Sequence, residues 1–163
     1  MKPGDHPEFF QRPPPPGRSR ESTIVLDESG RFWHDEALVE HEGMADAFAR
    51  WIRRHPDNNR YVLSNGYDWC YFRVLTTPFF VKAIQKRGED LLLQLFDGNE
   101  ELLMPKTLWA TPAGQIGCSV KAGEYESTFS RQAQLQLQPF LGGEGEPLLV
   151  LGGQAYGFAD SPL

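Results

Sequence analysis

The sequence has no apolar run approaching the roughly 18 to 20 residues a membrane span requires. Its mean hydropathy is −0.46, so a membrane protein is excluded. The opening residues, MKPGDHPEFF, lack a basic stretch followed by an apolar one, and no signal peptide is visible. There are only two cysteines, Cys70 and Cys118. That number fits a reduced, cytoplasmic protein better than a disulfide scaffold. The histidines His6, His34, His41 and His55 form no H-E-x-x-H spacing, and no paired C-x-x-C exists, so neither zinc nor another metal is expected. G-x-S-x-G and G-x-x-x-x-G-K-[ST] are also missing. Cys118 has apolar or small neighbours and no adjacent cation, which makes it a core thiol and not a nucleophile. With no complete catalytic motif, the reading leans away from an enzyme and expects no cofactor.

What is present is a chain of 163 residues with a net charge of −6, 40% hydrophobic and 23% charged. This length suits one compact domain or two small halves sharing a core, and it buries roughly two thirds of its unfolded surface without a metal or disulfide. Six of the thirteen prolines lie in the first 22 residues, including Pro13 to Pro16, with Arg12, Arg18 and Arg20 around them. Residues 1–22 therefore read as a proline-rich, largely disordered tail, with a polyproline II ligand for a protein partner as the functional alternative. The adjacent Phe9 and Phe10 are the exception, since two phenylalanines can pin part of a tail onto a domain.

Thr23 to Gly88 carries nine Lys/Arg and nine Asp/Glu, whereas Glu89 to Leu163 carries three against ten. The acidic second half argues against a generic nucleic-acid polymer as partner. Arg50, Arg53, Arg54 and Arg60 form the one basic cluster. The competing readings are cations on a helix C-terminus, which complement the dipole, and a phosphate site.

TIVL, DESG and RFW predict a hairpin turning at Asp27 to Gly30. Met44, Phe48, Trp51 and Ile52 fall on one helical face, and the helix is expected to end near His55 because Pro56 follows. YVLS, the Asn65-Gly66 turn and YDWCYFRVL predict a second hairpin. GQIGCSV, a turn near Ala122-Gly123 and EYEST repeat the first hairpin. Ala133, Leu137, Phe140 and Leu141 then repeat the helical face at a constant offset of 89 residues. GGEGEP reads as a helix stop, after which LLVL, Gly152-Gly153 and QAYGF echo the second hairpin. The expected fold is α+β, a tandem duplication of a hairpin, helix, hairpin unit with antiparallel sheets each packed by one helix. Its halves are residues 23–88 and 89–163, and PFFVKAIQKRG and DLLLQLFDG add two strands between the repeats.

Strand alternation places Trp69, Tyr71 and Arg73 on one face and Asp68, Cys70, Phe72 and Val74 on the other. Two rings and a guanidinium form a platform that stacks a planar ligand and pairs an anion. The alternative is an amphipathic surface covered by the other half. His34 beside Asp35 raises an oriented base, but neighbours on a strand point to opposite faces, which favours a turn or interface histidine.

The order SGRFWH, an amphipathic helix, YVLSNGYDW, TTPFFV and GEYESTFSR before a second helix resembles a bacterial family, the domain-of-unknown-function family 1285, from about Thr23 to Phe158. The family's last motif runs roughly G-L-E-A-R-L-S-R. Here Glu126, Phe129, Ser130 and Arg131 fit it, while Glu124 replaces glycine, Thr128 replaces arginine, and Thr76 replaces an acidic residue. The resemblance implies two related α+β halves, the second pleckstrin-homology-like, in a family whose members are not assigned an enzyme activity. It also implies a ligand site between halves, for a nucleotide-like molecule with a role in signalling. On this reading Trp69 and Tyr71 stack the ligand, Arg73 and Arg131 hold its anionic group, Glu126 orients Arg131, and Trp33 and His34 line the same cleft. A purely structural Glu126-Arg131 pair is the alternative. Two rival functions are a protein-interaction adaptor built on the proline-rich tail, and a cofactor-free enzyme. The enzyme would need His34 or His41 within about 2.6 to 3.2 Å of a carboxylate in a pocket.

Overall fold

The computed structural model describes all residues from Met1 to Leu163. The chain is α+β, with two short α-helices and sheets in which antiparallel pairing dominates. It divides into two compact units, Met1–Thr76 and Thr77–Leu163. The division falls ahead of the expected 88/89 boundary because the strand after Pro78 pairs wholly within the second unit.

The first unit contains β1 (Val25–Leu26), β2 (Phe32–His34), β3 (Ala37–Leu38), α1 (Glu42–Arg50), β4 (Ile52–Arg54), β5 (Tyr61–Ser64), β6 (Trp69–Tyr71) and β7 (Arg73–Val74). They form a four-stranded sheet, β3-β2-β1-β7, and a three-stranded antiparallel meander, β4-β5-β6. The turns follow from their chemistry. The Asp27 carboxylate accepts the Ser29 and Arg31 amides, and Gly30 takes the positive φ of 83° that closes the hairpin. The Asn65 side chain accepts the Tyr67 and Asp68 amides in the same way.

α1 starts at His41, whose Nδ1 accepts the Met44 amide as an N-cap. It stops at Arg50, short of the expected end near His55. Ile52, Arg53 and Arg54 pair instead with Leu63, Val62 and Tyr61, and burial of the β-branched Ile52 in a sheet outweighs the helical periodicity. Met44, placed by sequence on the buried helical face, is exposed. Of the four clustered arginines, Arg50 alone lies in the last helical turn. Arg53 reaches back to donate to the Arg50 and Ile52 carbonyls, so it satisfies the helix end from a strand.

Residues 1–22 are not a separate tail. They contain two 3-10 turns, Pro3–Asp5 and Phe9–Gln11. Phe9 is 2% exposed and joins Val62 and Trp69 in a hydrophobic cluster. The expectation of a largely disordered segment is corrected: aromatic burial at Phe9 and Phe10 outweighs the polar, proline-rich composition around them.

The second unit contains β8 (Phe79–Arg87), β9 (Asp90–Leu95), β10 (Glu100–Leu102), β11 (Trp109–Ala110), β12 (Ile116–Val120), β13 (Tyr125–Phe129), α2 (Arg131–Leu137), β14 (Leu141–Gly142), β15 (Leu148–Leu151) and β16 (Gln154–Gly157). Six strands form one sheet in the order β10-β9-β8-β13-β12-β11, with β8 and β13 parallel at its centre. Ser130 caps α2 by accepting the Ala133 amide, and Gln136 accepts the Ile84 amide, tying α2 to β8. Ala133 and Leu137 face the core, while Phe140 lies in a 3-10 turn and Leu141 in a strand. β14, β15 and β16 form another antiparallel meander. GGEGEP is accordingly the loop between β14 and β15 rather than a helix stop.

Candidate functional site

The densest concentration of aromatic and cationic groups lies on the β4-β5-β6 meander of the first unit. Trp69 and Tyr71 project to the same side of β6, as alternation requires, with ring centres 5.1 Å apart. His55, buried at the end of β4, stacks on Tyr71 at 5.7 Å and meets Trp69 edge-on at 5.2 Å. Its Nδ1 accepts the Asp57 amide and its Nε2 lies 3.0 Å from the Phe10 carbonyl. Because a carbonyl only accepts, the ring proton sits on Nε2.

This aromatic face is not open. Phe10 packs 5.5 Å from both His55 and Trp69, and the Trp69 indole N–H donates to the Phe9 carbonyl. Trp69 retains 6% of its surface. The covering element is the chain's own leading segment, residues 2–22, here called the strap. Backbone bonds attach it from the Gly4 amide to the Gly66 carbonyl and from the Tyr71 amide to the Arg20 carbonyl. Ser22 Oγ also donates to the Tyr71 carbonyl.

Two guanidinium groups frame the face in matching ways. Arg20, from the strap, lies 4.4 Å over the Trp69 ring, pairs with Asp68, and donates to the Trp69 carbonyl. Its other Nη nitrogen donates to the carbonyls of Arg12 and Pro13, which holds the strap's reversal closed. Arg60, from the body, lies 3.7 Å over the Tyr71 ring and makes a bidentate pair with Glu21 of the strap at 2.8 and 2.9 Å. The hydrogen bond from Arg60 holds the Glu21 carboxyl below its ordinary range, and Glu21 in turn raises Arg60. Burial pushes Asp68 up, but hydrogen bonds from Arg20 and the Trp69 amide outweigh it and the net shift is downward. One imperfection remains: Arg20 Nε is buried without a hydrogen-bond partner. Such an orphan costs about 1 to 3 kcal/mol.

The other residues singled out by sequence are placed elsewhere. Arg73 does not share the Trp69-Tyr71 platform, because the strand breaks at Phe72 and Arg73 enters the other sheet beside β1. It is exposed. The Trp33 indole donates to Asp27, and His34 is exposed 3.6 Å from Asp35, at a turn where Asp35 has a positive φ of 50°. His41 is the helix cap already described. Neither histidine meets a carboxylate at hydrogen-bond distance in a pocket, as the enzyme reading requires. Glu126 does not hold Arg131. Its two oxygens accept the Trp109 indole and the Ser119 hydroxyl, at 2.9 and 2.7 Å, while Arg131 opens α2 as an exposed residue with no ion pair. No group of three or more His, Cys, Asp or Glu side chains is placed to hold a metal ion. No helix is long and apolar enough to cross a membrane.

A cleft of about 180 Å³ in the same unit is lined by Ile24, Phe48, Trp51, Leu63 and Cys70, and Trp69 borders it too. That volume takes a single side chain or ring rather than a whole nucleotide, since ligand pockets run to roughly 300 to 1,000 Å³. Sequence reasoning missed the roles of His55, Arg60, Arg20 and Glu21. The signal that pointed toward them was the Phe9-Phe10 pair.

The chain is thus α+β, in two units, with an aromatic and cationic face on the first. No protein-family model and no curated protein matches the sequence. Two solved structures do match. A DUF1285 family protein from Silicibacter pomeroyi DSS-3 shares 16% identity at a TM-score of 0.68, covering 93% of this chain and 86% of that one. A DUF1285 family protein from Shewanella baltica OS155 shares 12% identity at a TM-score of 0.59, covering 74% of this chain and 94% of that one. The chain therefore has a DUF1285-like fold.

Proposed function

We propose that this chain is a non-catalytic binding and sensing module of the cytoplasm, taking a small anionic or nucleotide-like ligand. The observation that carries the reading is Arg60. Its guanidinium is held 3.7 Å over the Tyr71 ring, and its carboxylate partner, Glu21, is largely exposed. An anion replacing that carboxylate meets a cation whose orientation is already established, next to the rings of Tyr71 and His55. Arg73 and Arg131 are further exposed cations. The two free cysteines support the cytoplasmic assignment.

The two units are read as copies of one ancestor. What supports this is the recurrence of a hairpin, a helix and a three-stranded meander, with α1 and α2 near the offset of 89 seen in the sequence. The second unit is read as pleckstrin-homology-like on the strength of its six-stranded sheet packed by α2.

A thermal-shift screen with nucleoside mono-, di- and triphosphates and inorganic phosphate tests the ligand reading. A ligand at ~100 times its Kd stabilises by ~2.7 kcal/mol, and Arg60→Ala is expected to lose that shift. Flat curves, the same for wild type and Arg60→Ala, remove the small-anion reading. A second reading, a protein-interaction adaptor, is favoured by the strap already seated on the aromatic face.

A further inference from the structure

We infer that the β4-β5-β6 face is a peptide-docking groove occupied in cis by the strap, and that the partner it fits is an extended segment of another protein bearing two adjacent aromatic residues followed by an arginine and an acidic residue. This goes beyond the small-anion reading and does not depend on it.

The argument rests on what the strap contributes and how it is tethered. Besides the backbone bonds and Ser22, its side-chain grip is built on one aromatic pair, Phe9-Phe10, and one charged pair, Arg20-Glu21. Each has a dedicated receptor on the body. Trp69, His55 and Val62 take the rings; Asp68 with the Trp69 ring takes the guanidinium; Arg60 takes the carboxylate. Charge complementarity thus defines the sequence order a ligand must present.

Between the two grips the strap makes little contact with the body. Gln11 to Ser19 is exposed apart from the half-buried Pro14. The chain reverses there through a turn in which Arg18 donates to the Pro15 carbonyl, with Pro16 and then Gly17 at a positive φ of 76°. Apart from that turn, the bonds closing the reversal come from Arg20 to Arg12 and Pro13. The same side chain carries the buried, unpartnered Nε. The strap is therefore an imperfect ligand of its own site, held by tethering. A partner segment that needs no reversal does not require Arg20 Nη to serve the turn, and can compete for the same receptors.

Tethering gives the strap an effective concentration in the millimolar range for a short linker. The wild-type site is blocked to weak ligands in trans, and a strap with its rings removed is not. The test uses the full chain carrying Phe9→Ala and Phe10→Ala, titrated with a fluorescein-labelled synthetic peptide matching residues 2–22. Fluorescence polarisation is expected to show binding at least ~30-fold tighter than to wild type. Adding Trp69→Ala is expected to abolish it, and Glu21→Lys in the peptide to weaken it ~10-fold. Arg20→Ala in the full chain, a milder opening, is a second route if the double variant does not fold. Its peptide affinity is expected to fall between wild type and the double variant.

The inference is overturned if amide exchange shows the strap open in either variant while the peptide does not bind at millimolar concentration. Equal binding to wild type and variants overturns it too. So does concentration-dependent dimerisation of wild type that the Phe9→Ala, Phe10→Ala change removes, because the occupant would then be the strap of a second copy. None of these outcomes bears on the nucleotide screen, so the two readings fail separately.

Discussion

The Arg20 guanidinium lies 4.4 Å over the Trp69 ring while pairing with Asp68 beside it. One strap side chain thus lies over the first residue of β6 and is neutralised by the residue just before that strand. The arrangement converts an aromatic face that would attract a ligand into one that is already filled.

Arg20→Ala is expected to loosen the strap without unfolding the body. Loss of the cation-π contact and several hydrogen bonds amounts to about 2 kcal/mol, since Asp68 is largely exposed and its share is screened. Native-state amide exchange at Gly4 and Phe9 is expected to accelerate roughly 30-fold, with strand amides in the second unit unchanged. Unaltered exchange at Gly4 would show that the arginine is not the lock.

Asp27 links stability to acid pH. Burial pushes its carboxyl up, but hydrogen bonds from the Trp33 indole and the Arg31 and Ser29 amides outweigh that, and the folded-state value lies below the ordinary one. A depressed folded value stabilises the native state above the unfolded pKa, near 3.9, and this contribution is lost as pH falls through the folded value. Urea midpoints from pH 7 down to 2.5 are expected to drop less steeply for Asp27→Asn than for wild type, from a lower start at pH 7. Parallel curves would refute the assignment.

Glu126 is a structural carboxylate. Glu126→Ala leaves the Trp109 indole N–H and the Ser119 hydroxyl without their acceptor. A cost of about 1 to 3 kcal/mol in urea denaturation is expected. Glu126→Ala with full stability but altered ligand response would instead mark the residue as functional.

Gly117 sits where the Trp109 ring crosses β12. A Cβ there would overlap both the indole and the Ser127 carbonyl. Gly117→Ala is expected to cost about 3 kcal/mol or to abolish soluble expression. A variant as stable as wild type would contradict this packing.

The two thiols are expected to differ in reactivity. Cys118 is buried and its thiol is pushed up to about 12 by that burial. Burial also raises Cys70, but that residue is only half-buried. Iodoacetamide followed by peptide mass mapping at pH 8 is expected to label Cys70 first and Cys118 only on unfolding. Equal labelling rates in the native state would argue against this core.

Local chemistry was legible where a few neighbouring residues decide the outcome. The hairpin turning at Asp27 to Gly30, the turn at Asn65-Gly66 and the shared face of Trp69 and Tyr71 all follow from side chains within a few positions of one another. The end of α1 did not, because Ile52 obeys helical spacing yet gains more from pairing with Leu63. Arg73 was misplaced for a related reason: period-2 alternation holds only while a strand stays in one sheet, and this one changes sheets at Phe72.

By itself, then, the amino-acid order determined an α+β chain with no membrane-spanning run, its main hairpins, two amphipathic helices and a core thiol at Cys118. The tertiary structure alone decided that the strap fills the aromatic face, that Arg60 pairs with Glu21, and that Glu126 belongs to Trp109 and Ser119. The Arg60–Glu21 and Trp69–Phe9 contacts join residues 39 and 60 positions apart. Periodicity and turn chemistry act over a few residues, whereas these partnerships depend on which surfaces the folded chain brings within hydrogen-bond reach.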